Sequence, residues 1–134
     1  MPRPKVFSSL DYDNDSEYQD VLRAWNANLE FEFTWNETSP RVKLDSDDAA
    51  ALKRALSRMI GDALYFLCII GKYTHRSAWV QWEIEKAKEL NRRLVLVKTG
   101  VENTLPSGVI GVATASATGF KKDSILRSLR EARG

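Results

Sequence analysis

Cysteine and histidine are almost missing from this chain: Cys68 and His75 are the lone members of their kinds among 134 residues. A lone cysteine cannot close an intrachain disulfide, and inside LYFLCII Cys68 reads as a small buried apolar residue. One Cys and one His cannot build a structural zinc site. An excess of one charge is lacking too. The chain carries 20 basic and 18 acidic residues, a net charge of +2, so it sets up no strong field for nucleic acid or for an acidic partner. No apolar run reaches the length of a membrane span, and the opening MPRPKVF has no signal-peptide core. The expectation is a soluble protein of a reducing, cytoplasmic compartment with no membrane partner. GxGxxG, GxxxxGK[ST] and GxSxG are all absent, which removes the dinucleotide fingerprint, the P-loop and the nucleophile elbow.

What is present is a globular composition, 43% hydrophobic and 28% charged. The length suits one domain, residues 1–134, with a short arm at 1–4. Lys5–Leu10 reads as a buried strand, followed by the acidic turn DYDNDSE and a helix from Ser16, capped by Ser16 or Asp15, with Val21, Leu22, Trp25 and Leu29 inward. Leu29–Trp35 alternates as an edge strand does, and Asn36–Asp48 has the composition of a surface loop. Asp45–Asp48 leads a helix with Leu52, Leu56, Met59 and Ile60 on its buried face and Gly61 as its stop. Leu64–Ile70 and Leu94–Val97 are apolar throughout, as strands covered on both faces are. Thr74–Leu90 reads as a helix capped by Ser77. A short strand is expected within Val109–Ala115, and a helix over Asp123–Arg133. Strands alternating with helices predict a three-layer α/β sandwich on a central, mainly parallel five-stranded sheet, whose ligands sit beyond the carboxyl ends of the strands.

One residue conflicts with its helix. On a wheel of about 100° per residue, Trp79, Leu90, Ala87, Val80 and Ile84 share an apolar arc of roughly 140°, and Glu83 projects into it about 40° from Trp79. Glu85 and Glu89 lie on the opposite, lysine-bearing face, where a carboxylate is cheap. An inward carboxylate costs desolvation unless polar groups meet it, so Glu83 is the first candidate for chemistry. The alternative is a carboxylate that merely satisfies loop donors near a helix start. Trp79, Trp82 and Trp35 are more commonly packing residues, and His75 in its loop reads as a plain surface histidine. Asp11 with Lys98 could imitate a phosphoacceptor pair, but no matching acidic partners are evident earlier in the chain.

The residues V6-F7-S8-S9-L10-D11-Y12-D13 resemble the opening strand and acidic loop of TIR domains. S77-A-W79-V80-Q81-W82-E83-I84 resembles their S-x-W-[CV]-x-x-E-[IL] motif, and LCIIGKYTHRSAWVQWEI is similar to the bacterial TIR-like branch of the Thoeris anti-phage system. The resemblance covers about Lys5 to Val97 and implies a flavodoxin-like fold. It also implies cleavage of the nicotinamide–ribose bond of NAD⁺, taken as substrate with no further cofactor. The catalytic glutamate of the motif falls on Glu83. Phe7, Ser8, Ser9, Leu10 and Asp11 would line the cleft, Trp35 would lead into a loop flanking the nucleotide, and Trp79 would pack by the ribose. Leu10 stands where the family usually has an aromatic ring. Self-association through TIR contacts, and a separate effector reached through a cyclic ADP-ribose product, are further implications. Two rivals stay open: a non-enzymatic TIR interaction module, and an enzyme like the nucleoside deoxyribosyltransferases, which share the topology and a glycosidic-bond glutamate.

Overall fold

The computed structural model describes residues 3–25, 31–35 and 42–132. Its centre is the strand Tyr65–Ile70 (β3), in which all six residues are buried. Tyr65, Leu67 and Ile69 point to one side, while Phe66, Cys68 and Ile70 point to the other. A strand apolar on both faces is stable only with helices above and below it.

β3 lies between β1 (Lys5–Ser9) and β4 (Arg93–Lys98). The sheet runs β2-β1-β3-β4-β5, with β2 at Glu32–Trp35 and β5 at Ala115–Thr118, and every pairing is parallel. Helices α1 (Tyr12–Trp25) and α4 (Lys122–Ala132) carry Leu22, Ile125 and Leu129 onto the face of Tyr65 and Leu67. Helices α2 (Ala49–Asp62) and α3 (Ala78–Glu89) carry Leu56, Ile60, Val80 and Ile84 onto the face of Phe66 and Cys68. The chain moves outward from β1 to β2, then back across to β3. β1 and β3 therefore flank the point where strand order reverses, the place where parallel α/β sheets open a crevice. Among the described residues no helix is long and apolar enough to cross a membrane, and no group of His, Cys, Asp and Glu could hold a metal.

The α/β class, the five strands and the edge position of β2 agree with the sequence pattern. Several boundaries do not. A helical turn already begins at Tyr12, and α1 is two helical segments joined at a non-helical Asp15 (φ −126°, ψ 17°), the second of which starts at Ser16 as expected. Asp15 turns its carboxylate inward, toward Gly71 and Thr74. β2 covers Glu32–Trp35 of the expected Leu29–Trp35, whose residues 29–30 lie outside the described residues, as do 36–41 of the loop that follows. α2 runs one residue past Gly61 and closes when the Ala63 amide donates to Ile60 O at 3.2 Å.

The stretch Thr74–Leu90 is two elements, a 3-10 turn at Thr74–Arg76 and then α3. Ser77 separates them with extended φ/ψ, and its hydroxyl accepts from the Val80 amide at 3.2 Å, as its capping position predicts. The last strand forms at Ala115–Thr118, beyond the expected Val109–Ala115, where a 3-10 turn occupies Ser107–Val109. β5 is a half-exposed edge of small residues, and such a strand leaves little apolar pattern to read.

Candidate active site

A cleft of about 850 Å³ opens over the carboxyl ends of β1 and β2 and the loop that leaves β3. One wall comes from the end of β1 and the first turns of α1: Ser8, Leu10, Asp11, Asn14 and Gln19, with Trp35 from β2. The other comes from α3 and its entry, with Tyr73, Arg76, Ser77, Trp79 and Glu83, and is closed by the segment Val42–Asp45.

Glu83 sits in the second turn of α3 and is 2% exposed. The Ser9 hydroxyl, at the last position of β1, donates to its Oε1 at 2.6 Å. That distance is typical of a charge-assisted O–H···O bond, the kind that repays part of the desolvation of a carboxylate. Ser9 pairs in register with Cys68 of β3. Burial and then the Glu83 charge push the Cys68 thiol up, which disfavours the thiolate form. The carboxylate is thus held by the end of β1, buried at the lining of the cleft.

Trp79, one turn before Glu83, is half-buried and lines the cleft. Its indole N–H donates to Val42 O at 2.7 Å, which ties the segment after β2 to the start of α3. Trp82 packs edge-on to Trp79 at 5.9 Å and lies against the α2–α3 core, as a packing residue does.

Beneath the other wall is a buried acidic group. Asp11, 8% exposed, accepts the Asn14 amide at 2.7 Å, and its carbonyl takes the Asp15 amide at 2.7 Å. The Asp15 carboxylate, 6% exposed, packs onto Gly71, where any Cβ would run into it. Thr74 Oγ1 accepts from the Gly71 amide at 2.8 Å and lies 3.4 Å from Asp15 Oδ2. Burial raises the Asp15 pKa above 3.8, Asp11 and Glu17 add to the rise, and Thr74 opposes it. The kink of α1 and the loop leading into α3 therefore meet at one buried carboxyl.

Of the residues expected at the site from the sequence, Ser8, Leu10, Asp11, Trp35, Trp79 and Glu83 line the cleft. Ser9 lies beneath it and reaches it through Glu83. Phe7 does not line it: its ring stacks on Phe66 at 5.8 Å in the core under α2 and α3. Lys43, Tyr73 and Arg76 also line the cleft, and sequence reasoning misses them because loop residues carry no periodic signal. Gln19 had one, since it lies three residues before Leu22 on the inward face of α1 and is 4% exposed. His75 is only half-buried, and Lys98 donates to Val101 O at 2.8 Å.

Residues 7–104 match the family model described as Thoeris protein ThsB, TIR-like domain. The chain belongs to that family. The matched span of this TIR-like domain runs from β1 through β4 and holds both Ser9 and Glu83. No curated protein matches the sequence. Among solved structures, a 2-deoxyribosyltransferase from Bacillus psychrosaccharolyticus is similar, with TM-score 0.60 and 18% identity over 84% of this chain and 85% of that one. The CMP N-glycosidase BcmB of Clostridium botulinum gives TM-score 0.59 and 18% identity, over 94% of this chain and 98% of its own. At those identities the likeness is one of fold.

Proposed function

We propose that this TIR-like domain cleaves the bond between nicotinamide and ribose in NAD⁺, with Glu83 as the essential carboxylate. The observation that carries the reading is a buried glutamate, held at 2.6 Å by Ser9, on the floor of a cleft at the strand-order reversal. Breaking the C1′–N bond sends its electron pair to the pyridinium nitrogen, so nicotinamide leaves neutral and the ribose is left as an oxocarbenium-like cation. A fixed carboxylate beside C1′ stabilises that developing charge or holds the ribose hydroxyls, as carboxylates do in glycosidases. Capture by water yields ADP-ribose and a proton. Capture by a nucleophile within the same molecule yields a cyclic ADP-ribose isomer, a diffusible signal for a separate effector in anti-phage defence. On this reading NAD⁺ is a substrate, no other cofactor takes part, the site of action is the cytoplasm, and self-association sets the activity.

The test is product identification by mass after incubating concentrated protein with NAD⁺ and, in a parallel arm, with deoxynucleosides. Wild type is expected to release nicotinamide, with Glu83→Gln slower by at least about a hundredfold. Equal release by both proteins overturns the role of Glu83. Turnover of deoxynucleosides alone would instead make the chain a nucleoside-acting enzyme, in keeping with its fold neighbours.

A further inference from the structure

The last residues of β1 point to opposite faces of the sheet. Ser9 turns toward α3 and bonds Glu83, whereas Ser8 turns toward α1. Ser8 is 1% exposed, and its hydroxyl has no hydrogen-bond partner among the described residues. Its register partner on β2 is Trp35, 8% exposed, whose indole N–H is also without a partner among them. Both residues line the cleft. Adjacent strands thus set two cleft-lining residues with unmatched polar groups opposite each other in register, one residue along β1 from the serine that holds Glu83. Buried polar groups are rarely left unmatched, and a neighbouring pair calls for an external partner.

The chemistry of the pair narrows what that partner is. An indole N–H only donates, and a serine hydroxyl can donate to the same atom. The complement is an oxygen with two lone pairs. Under the proposed function, the group attached to the carbon beside Glu83 is nicotinamide, whose carboxamide oxygen is such an acceptor. The adenine end is set apart by two riboses and a diphosphate. We infer that Trp35 Nε1 and Ser8 Oγ form a donor pair for the carboxamide oxygen of nicotinamide, fixing the leaving group over the β1–β2 edge while Glu83 works on the ribose. This inference rests on the NAD⁺ reading for the identity of the ligand, but it concerns binding and is read without turnover.

Calorimetric titration of the Glu83→Gln protein with free nicotinamide, and with 3-methylpyridine as a ring lacking the acceptor, provides the test. Ser8→Ala and Trp35→Phe, each made in that parent, are expected to weaken nicotinamide by about fivefold to tenfold and to leave 3-methylpyridine unchanged. In the Glu83-containing protein the same substitutions raise KM for NAD⁺ by a similar factor. Ser8→Ala removes a single buried oxygen, so it still gives an answer if Trp35→Phe does not fold. Unchanged nicotinamide affinity in both variants, equal loss for both rings, or no nicotinamide binding by the parent overturns the donor pair. If nicotinamide binds in the expected pattern but NAD⁺ is never cleaved, the cleavage reading falls and the donor pair stands. If NAD⁺ is cleaved but the pattern is missing, the donor pair falls and the cleavage reading stands.

Discussion

Ser9→Ala is the sharpest perturbation of the proposed site, because it changes the support of the carboxylate and not the carboxylate itself. The substitution deletes one hydroxyl at a 1% exposed position on a central strand. Packing loss is small, since only an oxygen departs. The loss is therefore mainly the 2.6 Å bond to Glu83 Oε1. A hydrogen bond to a charged group contributes about 1.5–3 kcal/mol, and its removal leaves the buried acceptor short of a donor. At roughly 3–5 °C per kcal/mol for a chain of this size, the melting temperature should fall by about 5–15 °C. Urea denaturation should show a lower midpoint at unchanged slope. Nicotinamide release should fall further than stability alone explains, by about tenfold to a hundredfold in kcat, because a carboxylate that has lost the Ser9 bond is held less firmly in the geometry that meets the ribosyl cation. Glu83→Gln makes the complementary control: it keeps an acceptor for Ser9 and loses the charge. A Ser9→Ala protein with wild-type melting and wild-type turnover would refute both the energetic account of the bond and the placement of the reaction at Glu83.

Two further predictions concern the supports of the cleft. Asp15 titrates above its ordinary 3.8 in the folded protein, so the native state holds that proton more tightly than the unfolded chain does. Its contribution to stability is present below pH 3.8 and is lost as pH rises through the folded value. Asp15→Asn should abolish that slope and leave the variant at least as stable as wild type at about pH 7, by urea denaturation at a series of pH values. A wild type that gains on the variant as pH rises would contradict the assignment. Trp79→Phe should lose the 2.7 Å bond to Val42 O, cost about 1 kcal/mol, and raise hydrogen exchange over residues 42–48, while Trp82→Phe should leave that segment unchanged.

Much of the molecule was legible in the order of its residues. Strands apolar on both faces, such as Tyr65–Ile70 within the apolar run from Leu64, require helices on both sides, so the layered α/β class followed from hydropathy alone. Glu83 stood out because a 3.6-residue period left it on a face that water does not reach, and Ser77 was readable as a cap because its chemistry is local. Whatever depends on short-range periodicity or on a neighbour in sequence could be read this way.

What the tertiary structure alone decided joins residues far apart in the chain. Ser9 and Glu83 are separated by 74 residues, and only the reversal of strand order between β1 and β3 brings a strand end under the second turn of α3. Asp15 was legible as a residue at a helix start, but only the fold brings Gly71 and Thr74 against its carboxylate. Phe7 and Ser8 are neighbours in sequence, but the pleat sends one into the core and the other to the cleft, and no local pattern says which face a ligand will use. Hydropathy determines which side chains leave water. Which of them then meet is set by the sheet's register and crossover, and both the candidate site and the proposed donor pair can be read only at that level.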